Sequence, residues 1–219
     1  PALSVVMVGD SFTFGEGVKN NEAYPFHVER LLQEKGIDAI VYNAGVAGYG
    51  ADQEFVYIKD YIIPLHRPAM IVWNFNINDV VDSNEACLFR KNISNSYTQL
   101  PAWRNTLFLS GFIIKHSPEW LRQTALFDLA LRLPSIVTRK ERYTLGCTLP
   151  EGTAHDKLTS SLLDKLRYFL SQAQLLARKN NLQIVTTLVP FQLYYDSAIS
   201  NQDVGDYHKL RSVLNNSGL

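Results

Sequence analysis

Apolar residues in this chain gather into short continuous runs that alternate with longer stretches of helical spacing. Leu3 to Val8, Ala39 to Asn43, Met70 to Asn76 and Gln183 to Val189 are compact runs rich in β-branched and aromatic residues. Runs of that length and kind, apolar at successive positions, predict strands covered on both faces of a parallel sheet. Between the first two, Tyr24, Val28, Leu31 and Leu32 recur at one face of a helix, opened by Asn20-Asn21-Glu22 and closed by Gly36. A second helix opens at Asp52, carries Phe55, Ile58 and Ile62 on one side, and is bracketed at its exit by Pro64 and Pro68. Leu158 to Lys179 spaces Leu162, Leu163, Leu166, Phe169, Leu170, Ala173 and Leu176 as a wide apolar stripe. Val204 to Leu214 is a final helical stretch.

Strand, helix, strand, helix, strand is the signature of right-handed βαβ crossovers. The expectation is a single α/β domain over residues 1–219, three-layered α/β/α and doubly wound, with a flavodoxin-like parallel sheet. Residues 84–157 break the alternation and are too long for an ordinary connection. Their apolar stretches, 107–114 and 120–132, predict a helical insertion, either a lid or pocket wall or a plain structural cap. A doubly wound sheet calls for a fifth strand after the last helix, and the sequence reaches Leu219 first. The chain also begins Pro1-Ala2 without Met, so the expectation is a C-terminally incomplete domain.

Composition narrows the function classes. The 219 residues carry 21 Lys+Arg and 21 Asp+Glu, a formal net charge of zero, which argues against a nucleic-acid or anionic-surface partner. No run of 18 apolar residues marks a membrane span. Cys87 and Cys147 form no metal motif, and their pairing stays open between one bridge and two thiols. No cofactor is implied, and nothing fixes the compartment.

Three strands end in small or amide-bearing residues. The first runs into Gly9-Asp10-Ser11, followed by glycines at 15 and 17; the second into Asn43-Ala44-Gly45; the third into Asn76-Ile77-Asn78-Asp79. Ligand sites in open α/β sheets lie at the carboxyl ends of strands. Ser11 is there a candidate nucleophile. Acyl transfer also needs donors aimed at a developing oxyanion, and the Ser11 and Gly45 N–H groups and the Asn78 amide would supply three. An anion cradle for a nucleotide is disfavoured: there is no Gly-x-x-x-x-Gly-Lys-Ser/Thr sequence, and Asp10 would repel phosphate.

These blocks resemble those of the SGNH or GDSL-type hydrolases. Gly9-Asp10-Ser11, with Phe12-Thr13-Phe14-Gly15 behind it, is similar to the nucleophile block. Asn43-Ala44-Gly45 is similar to the block with the glycine donor, and Asn78-Asp79 to the block with the catalytic asparagine. Asn76 stands where that last block usually has glycine. The resemblance covers residues 5–83. It implies a serine hydrolase cleaving small-molecule or carbohydrate esters, as an acyl or acetyl esterase, through an acyl-enzyme on Ser11.

The family's fourth block, Asp-x-x-His, is absent. None of His27, His66, His116, His155 or His208 follows an aspartate by three residues, and Asp206-Tyr207-His208 has the wrong spacing. The resemblance therefore implies a catalytic His and Asp beyond residue 219. The alternative is a non-catalytic binding or structural module that keeps the fold. Asp10 and Asp79 are expected to fix the loops, because short carboxylates accept local backbone N–H bonds. Phe12 or Tyr49 would face a substrate, Trp73 and Phe75 the core, and Tyr194 and Tyr195 a rim.

Overall fold

The computed structural model describes residues 2–86, 88–92, 96–100, 158–189 and 201–219. It divides into two compact units, Pro1–Ser83 with Asp156–Leu219, and Asn84–His155. The first unit holds a four-stranded parallel sheet of β1 (Leu3–Gly9), β2 (Ala39–Gly45), β3 (Met70–Phe75) and β6 (Gln183–Leu188), in the order β2-β1-β3-β6. The fold is α/β, with a parallel sheet and flanking helices. Val5, Val6, Met7 and Val8 are all buried, so both faces of β1 are covered, as its unbroken apolar run requires. In register, Gly9 at the end of β1 stands beside Gly45 at the end of β2.

The two sides of β3 separate the layers. Ile71, Trp73 and Phe75 are fully buried on one side. There Phe55 of α3 (Ala51–Tyr57) stacks between Trp73 and Phe169 of α6 (Ser160–Asn180), at 6.4 and 5.4 Å between ring centroids. Burying each such side chain contributes roughly 1.5–3 kcal/mol. Asn74 points to the other side, into a chain of hydrogen bonds. Its Nδ2 donates to Thr13 Oγ1 at 3.1 Å, its Oδ1 accepts from Thr187 Oγ1 at 2.7 Å, and Thr13 Oγ1 meets Tyr24 Oη of α2 (Tyr24–Glu34) at 3.0 Å.

Two helices depart from expectation. The apolar face predicted for α2 is only half covered: Leu31 is 48% exposed, and β2 beneath it is at the edge of the sheet among the described residues. At that edge, Glu29 Oε2 accepts from Val41 N–H at 2.7 Å. The helix begun at Ala51 does not end before Pro64. It widens into a π-helical turn, Ile58–Ile62, where Ile63 N–H reaches back to Ile58 O, and continues as α4 (Ile63–His66). The wider turn restarts the α-helix just before Pro64, which then occupies a first-turn position where no N–H is needed.

α6 follows its predicted span closely. Thr159 caps its start by accepting from Leu162 N–H, and Asn181, at φ 50°, ends it. α7 (Asn201–Asn215) contains the last predicted helical stretch.

The chain passes from the first unit to the second within α5 (Ile77–Ala86). The described remainder of the second unit is an antiparallel hairpin of β4 (Phe89–Lys91) and β5 (Tyr97–Gln99), where the sequence pattern predicts only helix. Phe89 is followed by two charged residues, Arg90 and Lys91, so no period of two announced a strand. Stretches 107–114 and 120–132, expected to be helical, both cysteines, His116, His155, Tyr194 and Tyr195 lie outside the described residues.

Candidate active site at the strand ends

Ser11 opens α1 (Ser11–Phe14), a single helical turn that follows β1 after Asp10. Asp10 caps the turn, its Oδ1 accepting from Phe12 N–H at 2.9 Å. Gly15 ends it at φ 86°, a conformation that costs a side-chain-bearing residue strain, with its N–H on Ser11 O. Ser11 is thereby the first helical residue, whose N–H has no acceptor within the helix. Among the described residues, none hydrogen-bonds the Ser11 hydroxyl.

Gly45 lies against this turn. A Cβ on Gly45 would stand 2.2 Å from Phe14 N and 2.6 Å from Thr13 C. Glycine is required here for close approach of two backbones. Asn43 fastens the contact, its Nδ2 donating to Phe14 O at 3.2 Å and its Oδ1 accepting from Gly45 N–H at 3.0 Å. The Gly45 N–H is therefore already engaged.

Asn78 comes from the start of α5, just past β3. Its Nδ2 donates to Asp10 Oδ2 at 3.0 Å, with longer approaches of 3.4 Å to Asp79 Oδ1 and Asp82 Oδ2. Asp79 Oδ2 accepts from the Asn76 backbone N–H at 2.6 Å, and the Asn76 Oδ1 accepts from Ile77 N–H at 2.7 Å. The three candidate residues thus stand on the ends of three adjacent strands. Asp10 ties the first to the third, and Asn43 ties the second to the first.

Beneath them lies a concentration of buried carboxyls. Asp10, Asp52, Glu54 and Asp79 are each at most 1% exposed. Burial pushes Asp79 well above the usual carboxylate range; the charges of Glu54 and Asp10 add to the shift, and the Asn76 N–H opposes it. Glu54 is pushed up in the same way by burial, opposed by the Trp73 indole N–H and reinforced by Asp10, Asp52 and Asp82. Glu54 Oε2 takes that indole hydrogen at 2.8 Å, and Oε1 is buried without a partner among the described residues. Protonation answers both facts, since a neutral carboxyl is far less costly to bury than a carboxylate. Lys165 of α6 reaches Asp52 Oδ2 at 3.7 Å and donates to Ser83 O. Its burial lowers its pKa against the opposing pull of Asp52. On the far side of α1, burial pushes the Tyr24 phenol up to about 12.

Sequence reasoning missed Asn43 as a clamp, and also the Asp52–Lys165 pair. Lys165 sits inside the apolar stripe of α6, three residues after Leu162 and four before Phe169. A cation in such a stripe signals a buried partner. Among the described residues, no cluster of three or more His, Cys, Asp or Glu could hold a metal ion. No helix of the described residues is long and apolar enough to cross a membrane.

The described histidines stand elsewhere. His27 meets the Phe26 ring, His66 the Tyr42 ring and His208 the Tyr207 ring. Asp206, next to His208 but one, instead receives Leu158 N–H at 3.2 Å and Lys209 Nζ at 2.7 Å. Phe12 is 52% exposed, while Trp73 and Phe75 are fully buried. A cavity of about 350 Å³ opens beside Gly45, with Phe14, Pro25, Phe26, Val41 and Asn43 among its lining.

No protein-family model and no curated protein matches the chain. Solved structures do. The chain is similar to solved SGNH-hydrolase esterases. An acetyl xylan esterase, AlAXEase, aligns at 15% identity over 98% of this chain and 71% of that one, with a TM-score of 0.49. AlinE4, an SGNH-hydrolase family esterase, aligns at 20% identity over 99% and 95% of the two chains, with a TM-score of 0.37. A family 3 carbohydrate esterase from Clostridium thermocellum aligns at 13% identity over 85% and 78%, with a TM-score of 0.35.

Proposed function

We propose that this chain is a serine hydrolase of the SGNH type, acting on carboxylic esters with Ser11 as nucleophile. The observation that carries the reading is the placement of Ser11, Gly45 and Asn78 at the carboxyl ends of β1, β2 and β3, held together through Asp10 and Asn43. Ser11 Oγ gives its proton to a base and bonds to the ester carbon. The ester C–O bond breaks as the leaving alkoxide takes that proton, and water then releases the acid. The Ser11 N–H and one Asn78 N–H hold the oxyanion. Gly45 N–H joins them by exchanging Asn43 Oδ1 for the substrate oxygen. Each such donor lowers the barrier by roughly 3–4 kcal/mol. The base and its carboxylate come from outside the described residues.

The second reading is a binding or structural module without catalysis. The prior engagement of Gly45 N–H by Asn43 favours it. A fluorophosphonate probe and p-nitrophenyl acetate separate the two. Labelling and turnover by the full-length protein, both abolished in Ser11→Ala, are expected. Equal turnover by both proteins would remove Ser11 from the mechanism, and no labelling of the full-length protein would favour the module.

A further inference from the structure

Asp10 has a place in the site that turn formation alone does not explain. Both of its carboxylate oxygens are used, and in different directions. Oδ1 accepts from Phe12 N–H at 2.9 Å, which fixes the turn carrying Ser11. Oδ2 accepts from Asn78 Nδ2 at 3.0 Å, which fixes an amide 68 residues further along the chain. The side chain is 1% exposed, so water does not compete for either bond. An amide can present N–H or C=O to a ligand, and only its surroundings decide which. With Asp10 Oδ2 fixing one Nδ2 hydrogen, the second N–H has only the longer 3.4 Å approaches of Asp79 Oδ1 and Asp82 Oδ2, which a bound oxyanion would displace.

We propose that Asp10 is the positioning residue of this site: one carboxylate locks the Ser11 turn and the Asn78 amide into a single rigid unit and forces Asn78 to present N–H, not C=O, to a bound oxyanion. The functional half of this statement rests on the ester-hydrolase reading; the positioning half does not. The raised carboxyl of Asp79 fits it, because a neutral Asp79 leaves Asp10 as the stronger acceptor for the amide.

Asp10→Asn tests it. The new residue keeps an oxygen for Phe12 N–H but turns an NH2 toward Asn78 Nδ2. Two donors then face each other, and the Asn78 amide must flip or swing away. Asp10→Ser is the companion variant: its hydroxyl still caps the turn but is too short to hold Asn78. The first readout needs no activity. In 1H–15N spectra, with the Asn78 side-chain signals identified by their loss in Asn78→Ser, hydrogen exchange of that NH2 is expected to quicken at least tenfold in both variants. The backbone amides of Val6 and Trp73 should keep their protection. An unchanged Asn78 NH2 overturns the proposal. So does lost protection throughout the sheet, which would make Asp10 a plain element of the fold.

The second readout is p-nitrophenyl acetate turnover by the full-length protein. Asp10→Asn should lower kcat by about 100-fold, the effect of losing one oxyanion donor, with KM within about threefold. Added to Asn78→Ala, it should lower kcat by less than about threefold further, since both changes remove the same interaction. Fully multiplicative losses overturn the proposal. If Ser11→Ala leaves turnover intact, the ester reading falls, and the exchange measurement still decides the positioning.

Discussion

Replacing Gly45 by alanine places a methyl group where the chain has no room. The added Cβ would lie 2.2 Å from Phe14 N, 2.6 Å from Thr13 C and 2.8 Å from Phe14 Cα, all backbone atoms of the Ser11 turn. Ordinary contact needs at least about 3.4 Å, so β2 and α1 must part by more than about 1 Å. The Asn43 bonds to Phe14 O and Gly45 N–H span the same gap and would stretch with it. Overpacking typically costs 1–3 kcal/mol, and three backbone contacts place this case near about 3 kcal/mol. For a chain of this length each kcal/mol is worth about 2–4 °C, so the melting temperature should fall by about 6–12 °C. Gly205 supplies the contrast. It lies within α7, and a Cβ there would meet nothing within 4 Å. Gly205→Ala should therefore stabilise by about 0.4–1 kcal/mol through the unfolded chain. Calorimetry of the two variants beside the parent is the assay. A Gly45→Ala chain melting within 2 °C of the parent, or a Gly205→Ala chain losing as much as Gly45→Ala, would refute the packing argument.

Two further outcomes concern the buried charges. Lys165→Met leaves Asp52 buried without its cation and should cost about 3–5 kcal/mol in denaturant unfolding. The double change Asp52→Leu with Lys165→Met should recover at least half of that; no recovery would mean the pair is not what Lys165 contributes. The raised carboxyls of Glu54 and Asp79 set a pH dependence. Below the ordinary carboxylate range, folded and unfolded chains both hold these protons. As pH rises past about 4 the unfolded chain ionises first, so their contribution to stability is lost until pH passes the raised folded values. Melting temperature measured from pH 4 to 8 should carry this downward component, and Glu54→Gln should flatten it; identical slopes in parent and variant would contradict the assignment.

β1 and β3 were legible because both faces are covered or nearly so, and continuous apolar runs record that directly; β2 and β6 carry the same kind of run although β2 leaves Ile40 and Tyr42 exposed. The ends of three of them were legible for the opposite reason. Gly9-Asp10-Ser11, Gly45 and Asn78 interrupt apolar runs with residues whose only local use is a turn. What was hidden depends on geometry that sequence spacing does not encode. The π-helical turn before Pro64 cannot be read from a proline that ordinarily ends a helix. Asn43 reads as a turn former, and only its distances to Phe14 O and Gly45 N–H make it a clamp. Asp52 and Glu54 look like a solvated first turn of α3, yet both are fully buried. The hairpin at Phe89–Gln99 lacks the alternation that betrays strands, because its charged and polar side chains follow no period of two.

The edge position of β2 has a consequence for how copies of this chain meet. Ile40 and Tyr42 are 46% and 43% exposed on a strand that, among the described residues, has one side unpaired by any other strand. A strand of that kind is a template for pairing with a neighbouring molecule. The Glu29 carboxylate, by taking the Val41 N–H, removes one of the donors such a neighbour would need and sets a negative charge along its path. The same short contact that steadies α2 on the sheet also guards the sheet against growing.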